Sequence, residues 1–348
     1  MFRKNYFMYS KLQSVLRSLK KSSKIKCFFL GNTVKKENSS FYITDIRENE
    51  KFIYSTAIIY NNYQAKKISN IIDGKVDYVL VDTEKKVTSV KKKTLINLEK
   101  SVKAKIKKSQ IFTYKANDLT VQSADTFINN FFVNDIRGLG GKKILILGSG
   151  NIGFKLGLKM VENGGNVYFY RRNKKILENL VDTINLIKPK GTVASAKKIF
   201  NFEKILNKID ILIGATSGFP LLFKKHIKKF KKKIFILDIG KGIFSRDALE
   251  FALLRKHILY RLDITPAYNS YLENVISTTR MKLKDNSTIL KKNNLLIANK
   301  GILTEKGTVI VDNLHNPKKV YGISDGSGSF QNLTKKMLYK IEKKIKNK

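Results

Sequence analysis

The 348-residue sequence contains one cysteine, four prolines, three histidines and no tryptophan. The single thiol, Cys27, excludes an intrachain disulfide and a metal site built from several cysteines. It stands beside Phe28, Phe29 and Leu30, where we expect a buried, structural thiol. No apolar run reaches the roughly 18 residues that a membrane-spanning helix needs. The sequence therefore predicts no membrane segment and a cytoplasmic location.

Acidic residues are scarce: 27 Asp and Glu stand against 69 Lys and Arg, a formal net charge of +42. Such an excess is typical of nucleic-acid-binding proteins. Phosphate recognition favours arginine, however, often in clusters, and this chain has ten arginines against 59 lysines spread over its whole length. Abundant Lys, Asn and Ile together indicate a codon bias of the genome. We therefore expect most lysines on the solvated surface and no main function in nucleic-acid binding.

The strongest pattern is a glycine-rich turn between two apolar runs. Residues 143–147 form a run of strand length, and a G-x-G-x-x-G follows at Gly148, Gly150 and Gly153. Helical spacing of apolar residues then leads to a second strand at 167–170. Three glycines between a buried strand and a helix indicate a dinucleotide-binding βαβ unit. The alternative is a fold of this kind that has lost its ligand.

Each part of this turn has a physical role. The first glycine allows the tight turn, the second lets the backbone approach a pyrophosphate, and the third allows close packing of helix on strand. The amides at the helix N-terminus then bind phosphate. The predicted cofactor contacts are Gly148, Ser149, Gly150, Asn151, Ile152 and Gly153.

The end of the second strand indicates which dinucleotide binds. NAD sites usually carry Asp or Glu about 20 residues after the first glycine, where the carboxylate accepts from the ribose 2′-hydroxyl. This chain has Arg171 and Arg172 there and no carboxylate. Guanidinium groups pair well with a 2′-phosphate. The pair favours NADP, with NAD as the alternative cofactor; the alternative for the arginines is that they have no role in so basic a chain.

Alternating strands and helices predict an α/β protein. Its main part is a doubly wound, parallel-sheet Rossmann domain, preceded by a smaller α/β domain and followed by a returning C-terminal helix. We predict a basic N-terminal segment at 1–24, an α/β substrate domain at 25–136, the Rossmann NAD(P)-binding domain at 137–320, and the helix packing back within 321–348. Residues 294–312 are expected to form a hairpin.

Further candidates follow strands, because ligands of open α/β sheets bind outside the carboxyl ends of the strands. Thr216 and Ser217 come after an expected strand at 209–213, and Gly240 comes after one at 234–237. All three are predicted cofactor contacts. The alternative for Thr216 and Ser217 is that they only stabilise the turn after the strand.

Asp118, Lys115 and His315 are the candidates for substrate chemistry. Lys115 and Asp118 follow a strand at 110–114, where a carboxylate–lysine pair could exchange a proton with a substrate. Helix capping is the alternative for Asp118. His315 rivals Asp118, since imidazole suits acid–base work near neutral pH. Lys241 is interpreted as one more surface lysine.

The arrangement resembles a two-domain dehydrogenase group that includes shikimate dehydrogenase, methylene-tetrahydrofolate dehydrogenase and glutamyl-tRNA reductase. Tyr170-Arg171-Arg172 stands where NADP-using shikimate dehydrogenases have the Asn-Arg-Thr that holds the 2′-phosphate, and Arg171 matches strictly. Asn117-Asp118 is similar to their Asn-Thr-Asp run, whose Asp contributes to substrate binding and proton transfer. The Asn-Val-Thr-x-Pro-x-Lys run of that family is absent.

We therefore expect an NAD(P)-dependent dehydrogenase or reductase that prefers NADP. It would transfer a hydride to or from a small, anionic metabolite bound between two domains, with no metal, and a homodimer is compatible with this role. The alternative is a non-catalytic or regulatory dinucleotide-binding protein whose basic surface holds a polyanion such as RNA.

Overall fold

The computed structural model describes residues 2–33, 40–87, 95–216, 218–283 and 289–346. The chain divides into two units, Met1–Leu272 and Glu273–Lys348. The first unit contains two sheets, and the second contains one.

The first sheet is built from the N-terminal part of the chain. Its strands are β1 (Ile25–Gly31), β2 (Tyr42–Ile43), β3 (Arg47–Glu48), β4 (Phe52–Ile58), β5 (Tyr78–Asp82) and β6 (Gln110–Tyr114). They lie in the order β2-β4-β1-β5-β6, with β3 also paired to β4. Strands β4, β1, β5 and β6 run parallel. The predicted strand at 110–114 is confirmed at both ends.

Helices cover one face of this sheet because they carry apolar stripes. They are α1 (Phe2–Lys21), α2 (Asn62–Ile72) and α3 (Leu98–Lys103). In α1, Leu12, Val15, Leu16 and Leu19 join the core, as their helical spacing indicates. The helical spacing of apolar residues also predicts Phe7 on this face, but its side chain is 62% exposed. The basic N-terminal segment is thus a helix with a buried stripe.

Cys27 lies in β1 and is fully buried. Burial, together with the nearby Asp77, raises the pKa of its thiol far above the usual range. A thiol that stays protonated and enclosed is chemically inert, which agrees with the structural role expected from the sequence.

The second sheet contains six parallel strands. They are β7 (Lys143–Leu147), β8 (Asn166–Tyr170), β9 (Ala196–Ile199), β10 (Ile211–Gly214), β11 (Phe235–Asp238) and β12 (Ile258–Arg261). Their spatial order is β12-β11-β10-β7-β8-β9. Read from β9, and numbered along the chain, this is the 3-2-1-4-5-6 order of a dinucleotide-binding Rossmann sheet. The predicted Rossmann fold is confirmed; β9 was not expected from the sequence.

Helices pack on both faces of the second sheet. They are α4 (Ala116–Phe131), α5 (Asn151–Glu162), α6 (Lys174–Ile187), α7 (Lys224–Ile227) and α8 (Arg246–Leu254), with a short 3₁₀ helix at Phe202–Ile205. Residues of α4, α5 and α6 share one apolar core with the sheet. Residues of the 3₁₀ helix, α7 and α8 share a second core on the opposite face. The sheet is therefore doubly wound, as predicted.

Helix α9 (Thr265–Leu283) follows β12 and leads back to the first sheet. Its Tyr268 ring lies 4.6 Å from Phe29, 5.9 Å from Tyr114 and 6.2 Å from Tyr54, centroid to centroid. These three partners stand on the sheet face opposite α1. The sequence pattern did not predict this helix, which covers the face of the first sheet opposite α1.

The second unit has its own small sheet. Its strands are β13 (Ile289–Lys292), β14 (Leu295–Asn299), β15 (Val309–Val311) and β16 (Val320–Ile323), in that order. Helix α10 (Lys335–Lys346) packs on them through Leu338, Ile341 and Ile345. The hairpin predicted at 294–312 is wrong, because β14 and β15 pair in parallel.

The predicted domain bounds follow motifs and stay a prediction. They differ from the observed division: both predicted domains lie mainly in the first unit, and residues 289–320, given to the Rossmann domain, lie in the sheet of the second unit. The spacing of apolar residues in these strands does not indicate which of the sheets they join. Helix α4, given to the substrate domain, packs in a core of the second sheet. Within the described residues, no helix is both long enough and apolar enough to cross a membrane.

The close packing of α5 on β8 gives a test of the core that α4, α5 and α6 share with the second sheet. An added Cβ at Gly157 would lie 2.0 Å from the Phe169 ring, which is itself buried. Gly157→Ala should therefore lower the free energy of unfolding by about 1–3 kcal/mol, the usual cost of overpacking, measured by urea unfolding. Phe169→Leu in the same chain should recover part of the loss.

The matched control is Gly191→Ala. An added Cβ at Gly191 meets nothing within 4 Å, so its stability should stay near that of the parent chain. Equal stability of Gly157→Ala and Gly191→Ala would contradict the packing described here.

Candidate functional site

The glycine loop leaves β7 by a turn that only small residues permit. Gly148 has φ +99°, and a Cβ there would lie 2.6 Å from the carbonyl oxygen of Ala215. A Cβ on Gly153 would lie 2.0 Å from the Gly148 carbonyl oxygen. The first and third glycines therefore let β7, the turn and α5 pack backbone against backbone, as the motif predicts.

Gly150 has a different role. It is the N-cap of α5, and an added Cβ would meet nothing within 4 Å. The first amides of a helix lack partners within the helix, and those of α5 begin at Asn151 and Ile152. Beside them, the buried Oγ of Ser149 has no hydrogen-bond partner among the described residues. The loop thus presents donors and open space at one point.

A cavity of about 620 Å³ lies above this loop. Its walls are three short segments at the carboxyl ends of β7, β8 and β10, together with Phe219 and Leu221: Gly148, Ser149, Gly150, Tyr170, Arg171, Arg172, Asn173, Ala215 and Thr216. No carboxylate is among these lining residues. The position is the one where an open parallel sheet binds its ligand.

The two arginines at the cavity differ. Arg171 donates from Nη1 to the Ser149 carbonyl oxygen at 2.6 Å, so it braces the glycine loop. Arg172 is exposed, and no ion pair holds it among the described residues. Arg172 is therefore the guanidinium that remains available to a ligand, while Arg171 links the end of β8 to the loop.

The loop after β11 is folded around one carboxylate. Asp238 accepts from the backbone amides of Lys241 at 3.0 Å, Gly242 at 2.7 Å and Ile243 at 3.2 Å. A Cβ on Gly240 would lie 1.9 Å from the Thr216 carbonyl oxygen. The loops after β10 and β11 thus touch through their backbones.

This contact places Gly240 beside Thr216, and Thr216 lines the cavity. Their role as cofactor contacts stays a prediction. Ser217, the third, lies outside the described residues. The sequence did not predict that Asp238 holds this loop through backbone amides, although the nearby Gly240 and Gly242 indicate a turn.

Asp118 and Lys115 line a separate cavity of about 350 Å³, together with Thr83, Thr113, Tyr114, Leu119, Gln122 and Tyr271. This cavity shares no lining residue with the glycine-loop cavity. Asp118 forms an ion pair with Lys155 of α5 rather than with Lys115. Because α5 is the helix of the glycine motif, this pair links the candidate acid–base group to the glycine loop.

The capping alternative for Asp118 is not what the structure shows. Helix α4 begins at Ala116, and its N-terminal amides donate to Asp82 at 3.4 Å and Glu84 at 3.0 Å, the latter from Asn117. Lys86 bridges these two carboxylates. Burial raises the pKa of Asp82, and the charge of Lys86 opposes that rise. Because these two carboxylates accept from the first amides of α4, Asp118 does not cap the helix. Its carboxylate is half-exposed at the cavity.

His315 lies in the second unit, after β15, where its amide donates to Asn313 Oδ1 at 3.0 Å. The other two histidines are buried, His226 at 4% and His257 at 7% exposure. His226 lies within hydrogen-bond distance of Glu203, and His257 packs on Phe230. They have structural roles. His315 as an acid–base group stays a prediction.

No protein-family model matches the chain. Among curated proteins, it is 26% identical over 143 residues to a glycerol-3-phosphate dehydrogenase [NAD(P)+] of Clostridium botulinum. The match covers 38% of this chain and 42% of that protein, so the chain spans less than half the length of the curated relative.

Several solved structures are similar in part. Dipicolinate synthase A chain from Bacillus subtilis has a TM-score of 0.37 and 12% identity, over 76% of this chain and 98% of that one. A shikimate dehydrogenase in complex with NADP+ has a TM-score of 0.38 and 13% identity, over 68% and 84%. The assignment of the Rossmann fold rests on the strand order of the second sheet itself.

Gly150 offers a clean test of the loop. Gly150→Ala should leave the free energy of unfolding unchanged, since the Cβ meets nothing and the backbone has φ −80°. The methyl group would, however, occupy the space where a pyrophosphate approaches the backbone. We expect dinucleotide affinity to fall at least tenfold, measured by the fluorescence of bound NADPH. Unchanged affinity would mean that no pyrophosphate lies against Gly150.

Proposed function

We propose that the protein is an NADP-preferring oxidoreductase that transfers a hydride to or from a small anionic metabolite. The observation that carries the proposal is the cavity at the end of β7, bounded by the glycine loop and two arginines and lined by no carboxylate. The hydride transfer itself is the chemistry that the bound nicotinamide cofactor supplies.

The residues present fit such a dinucleotide. Gly150 leaves room for a pyrophosphate, and the amides that open α5 can donate to it. The unpartnered Oγ of Ser149 is a further donor at the same point. Thr216 and Gly240, on the adjoining loops, would line the path toward the nicotinamide.

The arginines support NADP over NAD. A ribose 2′-hydroxyl donates to a carboxylate in NAD sites, and this cavity offers none. Arg172, exposed and without an ion pair in the described part, can pair with a 2′-phosphate. Arg171 contributes through the loop that it braces. The preference is therefore assigned mainly to Arg172.

Proton transfer is proposed for Asp118, with Lys115 beside it in the same cavity. The ion pair to Lys155 orients the carboxylate from the helix of the glycine motif. His315 remains the rival. The curated relative carries the name of an enzyme for glycerol 3-phosphate, a small anion, which supports the substrate class. We further propose a cytoplasmic location and keep the homodimer as a proposal.

Cofactor preference is tested by separating the two arginines. Arg172→Ser should weaken NADPH binding roughly ten- to a hundredfold, because a lost charge-assisted contact is worth about 1.5–3 kcal/mol. NADH affinity should stay the same. Arg171→Ser should weaken both cofactors, NADPH more, since the loop loses its brace. Titration calorimetry measures both affinities.

The control is Lys190→Ser, which removes an exposed positive charge away from the cavity. It should change neither affinity. Equal losses of NADPH and NADH in Arg172→Ser would contradict the assignment of the 2′-phosphate.

The acid–base role is tested in a metabolite screen that follows NADPH consumption over keto acids, imines and cyclic ketones. Asp118→Asn should keep NADPH affinity and lower turnover by about 10²–10⁴-fold, the usual share of general acid–base catalysis. Lys155→Met should lower turnover less than Asp118→Asn does, since it removes only the ion pair that orients the carboxylate.

His315→Asn should have the smaller effect; the reverse order would move the chemistry to the loop after β15. Firm NADPH binding with no turnover on any metabolite would favour the non-catalytic alternative.

A further inference from the structure

A third cavity, of about 540 Å³, lies at the carboxyl end of β12, with α4 and the start of α9 as its other walls. Its volume is within the range of about 300–1,000 Å³ that is usual for small-molecule sites. Among the described residues, it shares none with the glycine-loop cavity and only Gln122 with the cavity of Asp118. The proposed hydride transfer leaves this third cavity without a role.

The walls of the cavity are fixed to one another. Helix α4 lies between β6 of the first sheet and β7 of the second, while α9 follows β12 and packs on the first sheet. Ser123 of α4 donates its hydroxyl to the carbonyl oxygen of Asp263 at 2.6 Å. This bond joins α4 to the segment that leads into α9. The cavity is therefore built by the two helices that connect the sheets, and it exists before any ligand binds.

Part of the lining is apolar. Phe127 of α4 and Tyr260 of β12 pack edge to face, with ring centroids 5.0 Å apart. Leu262 and the buried Ala267 add aliphatic surface. Phe127 and Leu262 are only half-buried, and Tyr260 is exposed. A ligand with an apolar body would remove this surface from water, which favours binding.

Two charged residues, Arg261 and Asp263, are the only ones among the described lining residues. The chain has 59 lysines, and none of these lining residues is a lysine. One wall thus carries one charge of each sign, two positions apart in the chain. A phosphate or another polyanion would meet the carboxylate as well as the guanidinium. A ligand that carries both charges is the complementary one.

Asp263 is ionised at neutral pH. Burial opposes its ionisation, but the hydrogen bonds from Thr265 and the charge of Arg47 hold the pKa of Asp263 below its usual range. The amide of Thr265 donates at 2.9 Å and its hydroxyl at 2.7 Å, both to Oδ1. The second oxygen, Oδ2, is therefore the one that can accept from a ligand.

We infer that this cavity binds a small zwitterion with an apolar body, an α-amino acid whose side chain is aromatic or branched aliphatic. Its carboxylate pairs with Arg261, its ammonium group with Asp263, and its side chain covers Phe127 and Leu262. The inference goes beyond the proposed function and does not depend on it, because this binding needs no cofactor.

The experiment is calorimetric titration of the cofactor-free full chain with L-phenylalanine and L-leucine. Three matched probes each lack one part: 3-phenylpropionate has no ammonium group, phenethylamine has no carboxylate, and glycine has no apolar side chain. We expect one saturable site that binds phenylalanine or leucine about tenfold or more tightly than any of the three probes. The better of the two amino acids shows whether the body is aromatic or aliphatic.

Charge variants assign the two ends of the ligand. Arg261→Gln should weaken the preferred amino acid about tenfold and leave phenethylamine unchanged, since that probe has no carboxylate to lose a partner. Asp263→Asn should weaken the amino acid similarly and leave 3-phenylpropionate unchanged. The amide oxygen of Asn can still accept from Thr265, so the start of α9 is preserved.

A blocking variant locates the site. Thr126 is exposed on α4 and lines the cavity, so Thr126→Phe should fill the space and abolish binding of the amino acid. The matched control is Thr183→Phe. Thr183 is an exposed threonine of α6 that lines none of the three cavities, and its replacement should leave the affinity unchanged.

The outcomes are separable. Glycine or 3-phenylpropionate binding as tightly as the preferred amino acid overturns the inference, and so does unchanged affinity in Thr126→Phe. Loss of binding in Asp118→Asn but not in Arg261→Gln would place the amino acid in the cavity of Asp118 and also overturn it. Amino-acid binding without NADPH binding overturns only the proposed function; NADPH binding without amino-acid binding overturns only this inference.

Discussion

The site depends on backbone packing against backbone at the carboxyl edge of the second sheet. Gly153 lies so close to the Gly148 carbonyl, and Gly240 so close to that of Thr216, that neither position has room for a methyl group. Together with the close approach of Gly148 to the Ala215 carbonyl, these contacts bring the loops after β7, β10 and β11 together through their backbones. The glycine loop therefore has open space beside the first backbone amides of α5, and a ligand can approach the main chain there.

Charge is arranged on top of this packing by residue type. Lysines are spread over the whole chain, whereas two of the few arginines stand at the end of β8. Arg171 donates there to the Ser149 carbonyl oxygen, and Arg172 is exposed at the cavity. In so basic a chain, net charge says little about partners. The position of a charged residue relative to the carboxyl ends of the strands says more about what it binds.

Local patterns could be read from the sequence, and long-range ones could not. The glycine turn, its flanking strands and the arginines at the end of β8 are encoded within about thirty residues, and the structure contains them as predicted. The partner of Asp118 is 37 residues away, in α5. The carboxylates that accept from the first amides of α4 are Asp82, at the end of β5, and Glu84, in the segment after it. No periodicity in the sequence indicates either set of contacts.

The same limit explains the errors in fold. A short apolar run has the same appearance whether its partner is parallel or antiparallel, so β14 and β15 were taken for a hairpin. Helix α9 has a weak apolar stripe, and its role depends on aromatic rings of the first sheet. What fixes such elements is the surface that they cover, which the local sequence does not contain.

The tyrosines around α9 carry a consequence for alkaline conditions. Burial raises the pKa of Tyr54 and of Tyr268 to about 12, and raises that of Tyr114 further. In the unfolded chain these phenols ionise near pH 10. Between pH 10 and 12 the unfolded state therefore releases protons that the folded state retains, and stability falls as the pH rises. At alkaline pH the packing of α9 on the first sheet should therefore weaken, because its buried tyrosine side chains must stay neutral to remain buried.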